Sequence, residues 1–476
     1  MMRSGLWSIC FVPALTALLF ADMDRSLAAG AEQNVRNTII AASGTAAPVG
    51  GNYTPFFINV SLNARHEVAF DAFVIGPSPT TGVFVGDGKT TSTIALGVNP
   101  DPATPSFGFV SVPFITPNGV VVFDVNETDI FRSDGQKIVP LVRDGDPAPG
   151  GGTVSPRLGT RAVNNHGVIA YLAGVNGSTA TQAIFRTDGT QTVAIARDDI
   201  APPTGGRFTA LFAPAMNNRG QVAFKAEMSG GTADNGIFRG EGGHLTPVFV
   251  TNQIVSDGAI IQDCGTPAIN AYGQVVAQCL VMNSAISSGL FVGDGTTVIP
   301  IALQGQTAPT GGIYFTFVGT TRLNDRGEVA FGALFEDGAT GIFRRTGEQT
   351  TTIASTGMSA PGTTGMFQSF GDDIRFRNDG AVAFVGTLAI GVGGVDASNN
   401  LGIWIGTSAE DLQLVVRTGE VIGGKVLASL PFREFGGQQF DMNENSVVWV
   451  GGFQSGAKAV VLSLIDDEND EADDRE

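Results

Sequence analysis

The stretch Leu323-Asn324-Asp325-Arg326-Gly327-Glu328-Val329-Ala330-Phe331 decides the fold, because the chain carries eight versions of it. They stand at 62–70 (LNARHEVAF), 115–123 (ITPNGVVVF), 163–171 (VNNHGVIAY), 216–224 (MNNRGQVAF), 269–277 (INAYGQVVA), 323–331, 376–384 (FRNDGAVAF) and 442–450 (MNENSVVWV). Successive last residues are 53, 48, 53, 53, 54, 53 and 66 apart. A period near 53 holds four short strands and their turns, the size of one propeller blade. A residue used eight times is holding a fold, so the repeat reports architecture and chemistry must be sought elsewhere.

Each repeat has the same internal grammar. Asn-x-x-Gly reads as a four-residue hairpin turn, in which Asn bonds its own backbone and Gly takes positive φ. Val-Ala-Phe is the next strand, b, apolar at consecutive positions as in a sheet covered on both faces. Strand a precedes the turn, as in Tyr314-Phe315-Thr316-Phe317-Val318. After a variable loop comes strand c, as in Gly236-Ile237-Phe238-Arg239, often closed by a hairpin pair such as Asp87-Gly88, Asp134-Gly135, Asp188-Gly189 or Asp294-Gly295. Strand d follows, as in Val193-Ala194-Ile195-Ala196, and a Pro/Gly linker such as Ala308-Pro309-Thr310-Gly311-Gly312 leads onward.

Near the N-terminus, Asn37-Thr38-Ile39-Ile40-Ala41 and the linker after it form a strand d without a, b or c. The last repeat runs through Ala459-Val460-Val461-Leu462 and lacks a strand d. The two deficits complement each other and leave no bare sheet edge at the seam. The expected fold is therefore all-β, a β-propeller of eight four-stranded blades whose last blade is closed by the N-terminal strand. Seven and nine blades are the alternative counts, and a solenoid leaves the split repeat unexplained.

The repeat matches fully at Asn217, Gly220, Ala223 and Phe224 and at Asn324, Gly327, Ala330 and Phe331, and partly at Asn63, Ala69 and Phe70, where His66 replaces Gly. In these residues the chain resembles the bacterial exported proteins described by a tandem N-x-x-G-x-x-A-F repeat. The resemblance covers nearly all of the chain after its first segment and implies an exported propeller-like protein. That family brings no established activity and no residue roles. Its members often end in a sorting or anchoring segment, and none is read here.

The chain has 476 residues, of which 65 are Gly and 32 Phe, and only 15% are charged, which suits turn-rich β structure. A net charge of −18 argues against nucleic acid and anionic membrane as partners. Arg3, an apolar run at 6–20 and the small residues Ser26-Leu27-Ala28-Ala29 read as a secretory signal over 1–29. The 15-residue run is shorter than the roughly 20 residues that span a bilayer, and no second such run follows. One propeller domain over 30–465 is expected, monomeric, without a membrane span after cleavage, and secreted or extracytoplasmic in the periplasm or at the cell surface. The tail 466–476, DDENDEADDRE, carries −7 and reads as a solvated disordered extension.

Chemistry-bearing residues are few. Cys10 falls in the signal, leaving Cys264 and Cys279 on strands a and b of one repeat. If Ile269 pairs with Gln274, counting outward sets 264 opposite 279, a cross-strand disulfide in an oxidising compartment; a one-residue slip would separate them as free thiols. His66, His166 and His244 lie in three different repeats, so no metal site and no cofactor is expected. The sequence holds no His-Glu-x-x-His and no Gly-x-Ser-x-Gly.

Two regions depart from the repeat. The b–c loops, at 74–81, 173–182, 228–235 and 388–400, share one rim with the d–a linkers, which add Asp144, Asp146, Asp198, Asp199 and Glu420. The central channel, lined by strand a, receives Arg161, Arg322, Arg375, Asp372 and Asp373. The leading expectation is a non-enzymatic scaffold that binds a protein or glycan ligand through the variable rim. The alternatives are a polysaccharide-acting lyase or glycosidase with an acid pair at the channel mouth, and a structural envelope component.

Overall fold

The structure, a computed structural model, describes residues 35–99, 106–255, 258–431 and 438–465, without the side chains of 157–160. Residues 1–29, read above as a secretory signal, and the acidic residues 466–476 lie outside the described residues. Eight antiparallel sheets follow one another along the chain. Blades 1 to 7 occupy 52–96, 110–142, 153–197, 207–250, 260–303, 314–355 and 367–417, each in the order a-b-c-d. Blade 8 takes a, b and c from 425–465, and its outer strand is the N-terminal Val35–Ala42, paired antiparallel with Lys458–Ile465. The split repeat read from the sequence is the closure of the ring.

Val-Ala-Phe works by its alternation. Val and Phe of one blade point at the preceding blade, whose middle residue, Ala or Val on the opposite face of its own strand b, makes room for them. Val382 and Phe384 pack with Ala330, Val329 and Phe331 with Val276, and Val68 and Phe70 of blade 1 with Val448 of blade 8. Eight such interfaces close the circle. Within a blade the Phe stacks on the strand-c aromatic beside it: Phe331 on Phe343 at 5.6 Å, Phe70 on Phe84 at 5.5 Å.

Blade 8 corrects the alignment of the last repeat. Met442 pairs with Val447, whereas Leu323 pairs with Val329, so the eighth turn is one residue shorter. Trp449, packed with Ala383 of blade 7, therefore holds the Phe place, and Val450 does not.

The Asn-x-x-Gly turn is also one residue wider than a simple four-residue hairpin. Ile269 pairs with Val275 rather than with Gln274, and the turn closes from the Asn270 amide to the Gln274 carbonyl. The last residue of the motif is left-handed, with φ of 79° at Gly273 and 60° at His66, the pattern of a hairpin ending in a glycine bulge. Ile269 opposite Val275 would set Cys264 opposite Leu280, but strand a breaks between Cys264 and Ala268 and recovers the residue. Cys264 then faces Cys279, and their sulfurs are bonded at 2.00 Å. This is the blade in which Ala277 replaces Phe, and the two cysteines fill the same cluster. We expect both thiols to resist alkylation until reductant is added, and reduction to cost about 3 kcal/mol for a loop of this size, read as a lower midpoint in denaturant.

The Asp-Gly turns of strands c and d are capped from within. Asp188 Oδ1 accepts the amides of Thr190 and Gln191 at 2.7 and 2.8 Å, and Asp294 those of Thr296 and Thr297, both at 2.8 Å. The Thr190 hydroxyl with its two amides at Asp188, and the two amides with the Thr296 hydroxyl at Asp294, hold both carboxyls down to about 2, from an ordinary 3.8. A depressed carboxyl stabilises the fold above its unfolded value and ceases to as pH falls through its folded value. Stability should therefore decline between pH 3.8 and about 2. Asp188→Asn with Asp294→Asn, which keeps the caps and removes the titration, should flatten that limb in denaturation curves taken across this range.

Candidate functional site

On the rim that carries the a–b turns, the turn asparagines form a circuit. Each Oδ1 accepts two amides of its own turn, as Asn270 does from Tyr272 and Gln274, both at 3.0 Å. Each Nδ2 reaches the carbonyl at the same position of the next blade: Asn217 to Asn270 at 2.7 Å, Asn270 to Asn324 at 3.1 Å, Asn324 to Arg377 at 3.1 Å. Asn443 closes the circuit onto Asn63 at 2.8 Å, across the seam. The bonds within the turn follow from the sequence and those between blades do not, because a side chain has two ends and a repeat shows only one neighbour. Strand-c arginines add a second tie: Arg186 and Arg344 donate to the carbonyls of Gly220 and Gly380 at 2.6 and 3.1 Å. Asn270 is 2% exposed, so Asn270→Ala strands several buried groups and should cost about 2–4 kcal/mol in chemical denaturation.

Asn is replaced at two places: Arg377, whose guanidinium still reaches the Asn443 carbonyl at 3.2 Å, and Thr116, whose hydroxyl, among the described residues, bonds only within its own turn; channel arginines span both. Arg161 of blade 3 ion-pairs with Asp124 of blade 2 and donates to the carbonyl of Val112, with both charged side chains nearly inaccessible. Arg375 of blade 7 donates to the Phe440 carbonyl of blade 8 at 2.6 Å and faces Asp441 at 3.5 Å. Arg322 of blade 6 and Arg375 share Asp373, at 3.1 and 2.5 Å. Burial pushes the Asp373 carboxyl up, but these two guanidiniums outweigh it and hold it below its ordinary value. Burial prevails at Asp124, despite Arg161, and at Asp441, despite Arg375 and the amide of Leu62, and both are raised.

A cavity of about 490 Å³ occupies the channel, lined by residues on or beside strand a of seven blades, with Arg161, Arg322, Asn59, Gln438 and Asp124 as its polar groups. Arg161 and Arg322 thus come together on one cavity, with Arg375 linked to Arg322 through Asp373, while Asp372 is exposed on the same strand. Beside it lies a strained element. Val112, β-branched yet at φ 49°, is held by the Asp71 carboxylate on its amide at 3.1 Å and by Arg161 on its carbonyl. Asp71 also accepts the Ile58 and Asn59 amides at 3.1 and 2.8 Å and the Asn59 side chain at 2.6 Å, and burial still raises it. Asp71 and Asp124 were findable: both follow the strand-b Phe, where other repeats carry Leu172, Lys225, Gln278, Gly332 and Val385.

The rim acids are dispersed. Asp146 accepts the Arg143 amide at 2.8 Å, and Glu420 accepts the Arg417 amide at 2.8 Å, each capping its own linker. Asp199 pairs with Arg197 at 2.9 Å, Asp198 accepts the Thr181 amide at 2.9 Å, and Asp144 is exposed. Asp144 and Asp146 stand in the linker between blades 2 and 3, Asp198 and Asp199 in that between blades 3 and 4. Among the described residues, no three of His, Cys, Asp and Glu are grouped as they would be to hold a metal ion.

Solved structures similar to this chain include propeller domains. The β-propeller domain of the Trilobed protease from Pyrococcus furiosus is 11% identical, with 76% of this chain and 97% of that one covered and a TM-score of 0.39. The WD40 domain of SCAP from fission yeast is 8% identical, over 90% and 98%, with a TM-score of 0.39. A puromycin-hydrolyzing peptidase of Mycobacterium tuberculosis is 12% identical, over 88% and 62%, with a TM-score of 0.42. Nothing about this chain's chemistry follows from likenesses so distant. No curated protein matches the sequence. One family does match, over residues 14–294 and 124–458, so the chain belongs to the family of unknown function DUF7453.

Proposed function

We propose that this protein is an exported, non-enzymatic propeller that binds a protein ligand through its variable rim. One observation carries the reading: among the described residues, most large apolar side chains left exposed stand on that rim or at its strand ends. Ile254 is 71% exposed, Val421 67%, Ile75 58%, Ile200 58% and Ile390 57%, in linkers and b–c ends at four places around the ring. The opposite rim is knitted by the asparagine circuit, and its exposed Tyr272 has the Arg219 guanidinium over its ring at 5.2 Å. Exposed apolar surface on a rigid scaffold is what a binding face needs.

The exposed residues are mainly aliphatic, which suits a protein surface better than a glycan, since sugars pack on flat aromatic rings. The tryptophans Trp404 and Trp449 and the tyrosines Tyr53, Tyr171 and Tyr314 are buried. The polysaccharide-acting alternative needs two free carboxyls facing a substrate. Asp373 and Asp441 do converge, but on the guanidinium of Arg375. Export is supported by the signal-like segment 1–29, by the tandem-repeat resemblance and by the Cys264–Cys279 bond, which persists in oxidising compartments. Among the described residues no helix is long and apolar enough to cross a membrane. The domain reading remains one propeller over 30–465 with an acidic tail at 466–476.

A glycan array and a crosslinked envelope pull-down, run with the protein from residue 30 onward, separate the readings. A protein captured by the native rim and lost when the exposed rim residues Ile75, Ile200, Ile254, Ile390 and Val421 are together replaced by Asp supports the proposal. Glycan hits without a protein partner, or release of sugar ends from a polysaccharide panel, would overturn it.

A further inference from the structure

The longest b–c loop, 389–400 in blade 7, is a built surface. Its peptide groups bond to one another, Gly391 to the Val395 carbonyl at 2.8 Å and Val395 to that of Val392 at 3.1 Å, while Val395, 3% exposed, anchors it in the blade core. Two neighbouring linkers support it. The Ala389 amide bonds to the Met366 carbonyl at 2.9 Å, and Thr364 Oγ1 donates to the Gly393 carbonyl. On the far side Gly419 lies against Asn399, where a Cβ would sit 3.3 Å from that of Asn399. The loop and both linkers thus form one continuous face, and it presents Ile390, Val392, Met366 and Val421 to solvent, at 57%, 37%, 42% and 67% exposure. Holding apolar side chains in water on a loop that is already ordered lowers the entropic cost of docking.

Charge selects the occupant. Asp396 and the half-buried Glu420 belong to this face beside the half-buried Lys425, which pairs with Ile422, and exposed Glu336 and Asp337 on the same rim of blade 6 leave the surroundings acidic. The Arg417 guanidinium is turned inward to the Asn399 carbonyl. The whole chain carries −18. A second copy would set acid against acid, and an anionic bilayer would be repelled in the same way. We propose that the 389–400 loop, with Met366 and Val421, is the docking point for a protein segment whose aliphatic side chains are flanked by lysine or arginine. The inference rests on the rim reading above and names its partner class and its place.

The test is selection of a random displayed-peptide library on the protein from residue 30 onward. Enriched peptides are then measured on Ile390→Asp with Val392→Asp, and on Ile200→Asp with Ile254→Asp, all exposed positions whose thermal melts should match the parent. The expected result is enrichment of peptides that join Lys or Arg to aliphatic residues, with affinity lower by about tenfold or more on the blade 7 variant and unchanged on the other. Selection without basic residues, or no enrichment, overturns the proposal. Loss only on the Ile200/Ile254 variant overturns the docking point and leaves the rim reading standing; equal binding to both variants overturns both. A concentration-dependent dimer abolished by the blade 7 variant would assign the face to a second copy and overturn the partner class.

Discussion

Removing Val35–Ala42 is expected to open the ring and abolish soluble, cooperative folding, although it takes away only 8 residues. The strand supplies the outer edge of blade 8, with seven residues in register against Lys458–Ile465, from Val35 opposite Ile465 to Ala42 opposite Ala459. It also packs sideways: Ile40 and Ala41 belong to the core of blade 1, and Thr38 and Ile40 lie against the c–d turn of blade 1 at Gly88 and Gly86. Its loss therefore strips one blade of an edge and another of part of its flank. The exposed edge of Lys458–Ile465, rich in Val and Leu, would be a template for intermolecular pairing. Burial of three to four apolar side chains at about 1.5–3 kcal/mol each is comparable with the whole net stability of a typical domain. The measurement is size-exclusion chromatography and thermal melting of the deletion variant, with the peptide Val35–Ala42 added in trans. Aggregation relieved by the peptide is expected; a monomer with the parent melting temperature would show that the closure is not needed.

How much of this was legible in the sequence differs by level. The repeat, its period and the split last blade all follow from spacing, because each blade must bury the same faces and so keeps the same residues. Register did not follow. The turn at Asn270 is wider by one residue and strand a is broken near Gly265, and the two displacements cancel at Cys264 and Cys279. Counting outward from a tight turn meets the same two cysteines only through that cancellation, since a repeat specifies which side chains are buried and not how many residues a bulge absorbs. The channel charges were located but their partners were not. Arg161 finds Asp124 and Val112 in another blade, a relation that spacing along one strand cannot express. The rim acids looked like a set in sequence; in space Asp146 and Glu420 cap their own linkers, Asp199 pairs with Arg197 and Asp198 holds the Thr181 amide.

Replacing Arg161 is expected to be the most damaging single substitution among these channel residues. Arg161→Met leaves the Asp124 carboxylate without its cation, at a site where the two side chains are 7% and 5% exposed. Breaking a buried ion pair from one side costs about 3–5 kcal/mol, more than the pair contributes, because the remaining charge stays desolvated. It also removes the donor from the Val112 carbonyl, so the left-handed valine loses one of its two clamps. The pH dependence distinguishes this cause from lost packing. Asp124 is already raised by burial against the pull of Arg161, and without Arg161 it rises further. A carboxyl raised in the folded state favours folding when protonated, so its cost is fully relieved below the unfolded value and grows as pH rises through the folded one. The deficit of Arg161→Met should therefore be largest near neutrality and shrink on acidification toward the ordinary carboxyl range. Asp124→Asn in the same background should recover much of it at neutral pH. Urea denaturation of the parent, both single variants and the double variant at two pH values gives the coupling directly. A deficit independent of pH, and equal in the single and double variants, would mean that Arg161 acts by filling space and that the circuit needs no charge where Thr116 interrupts it.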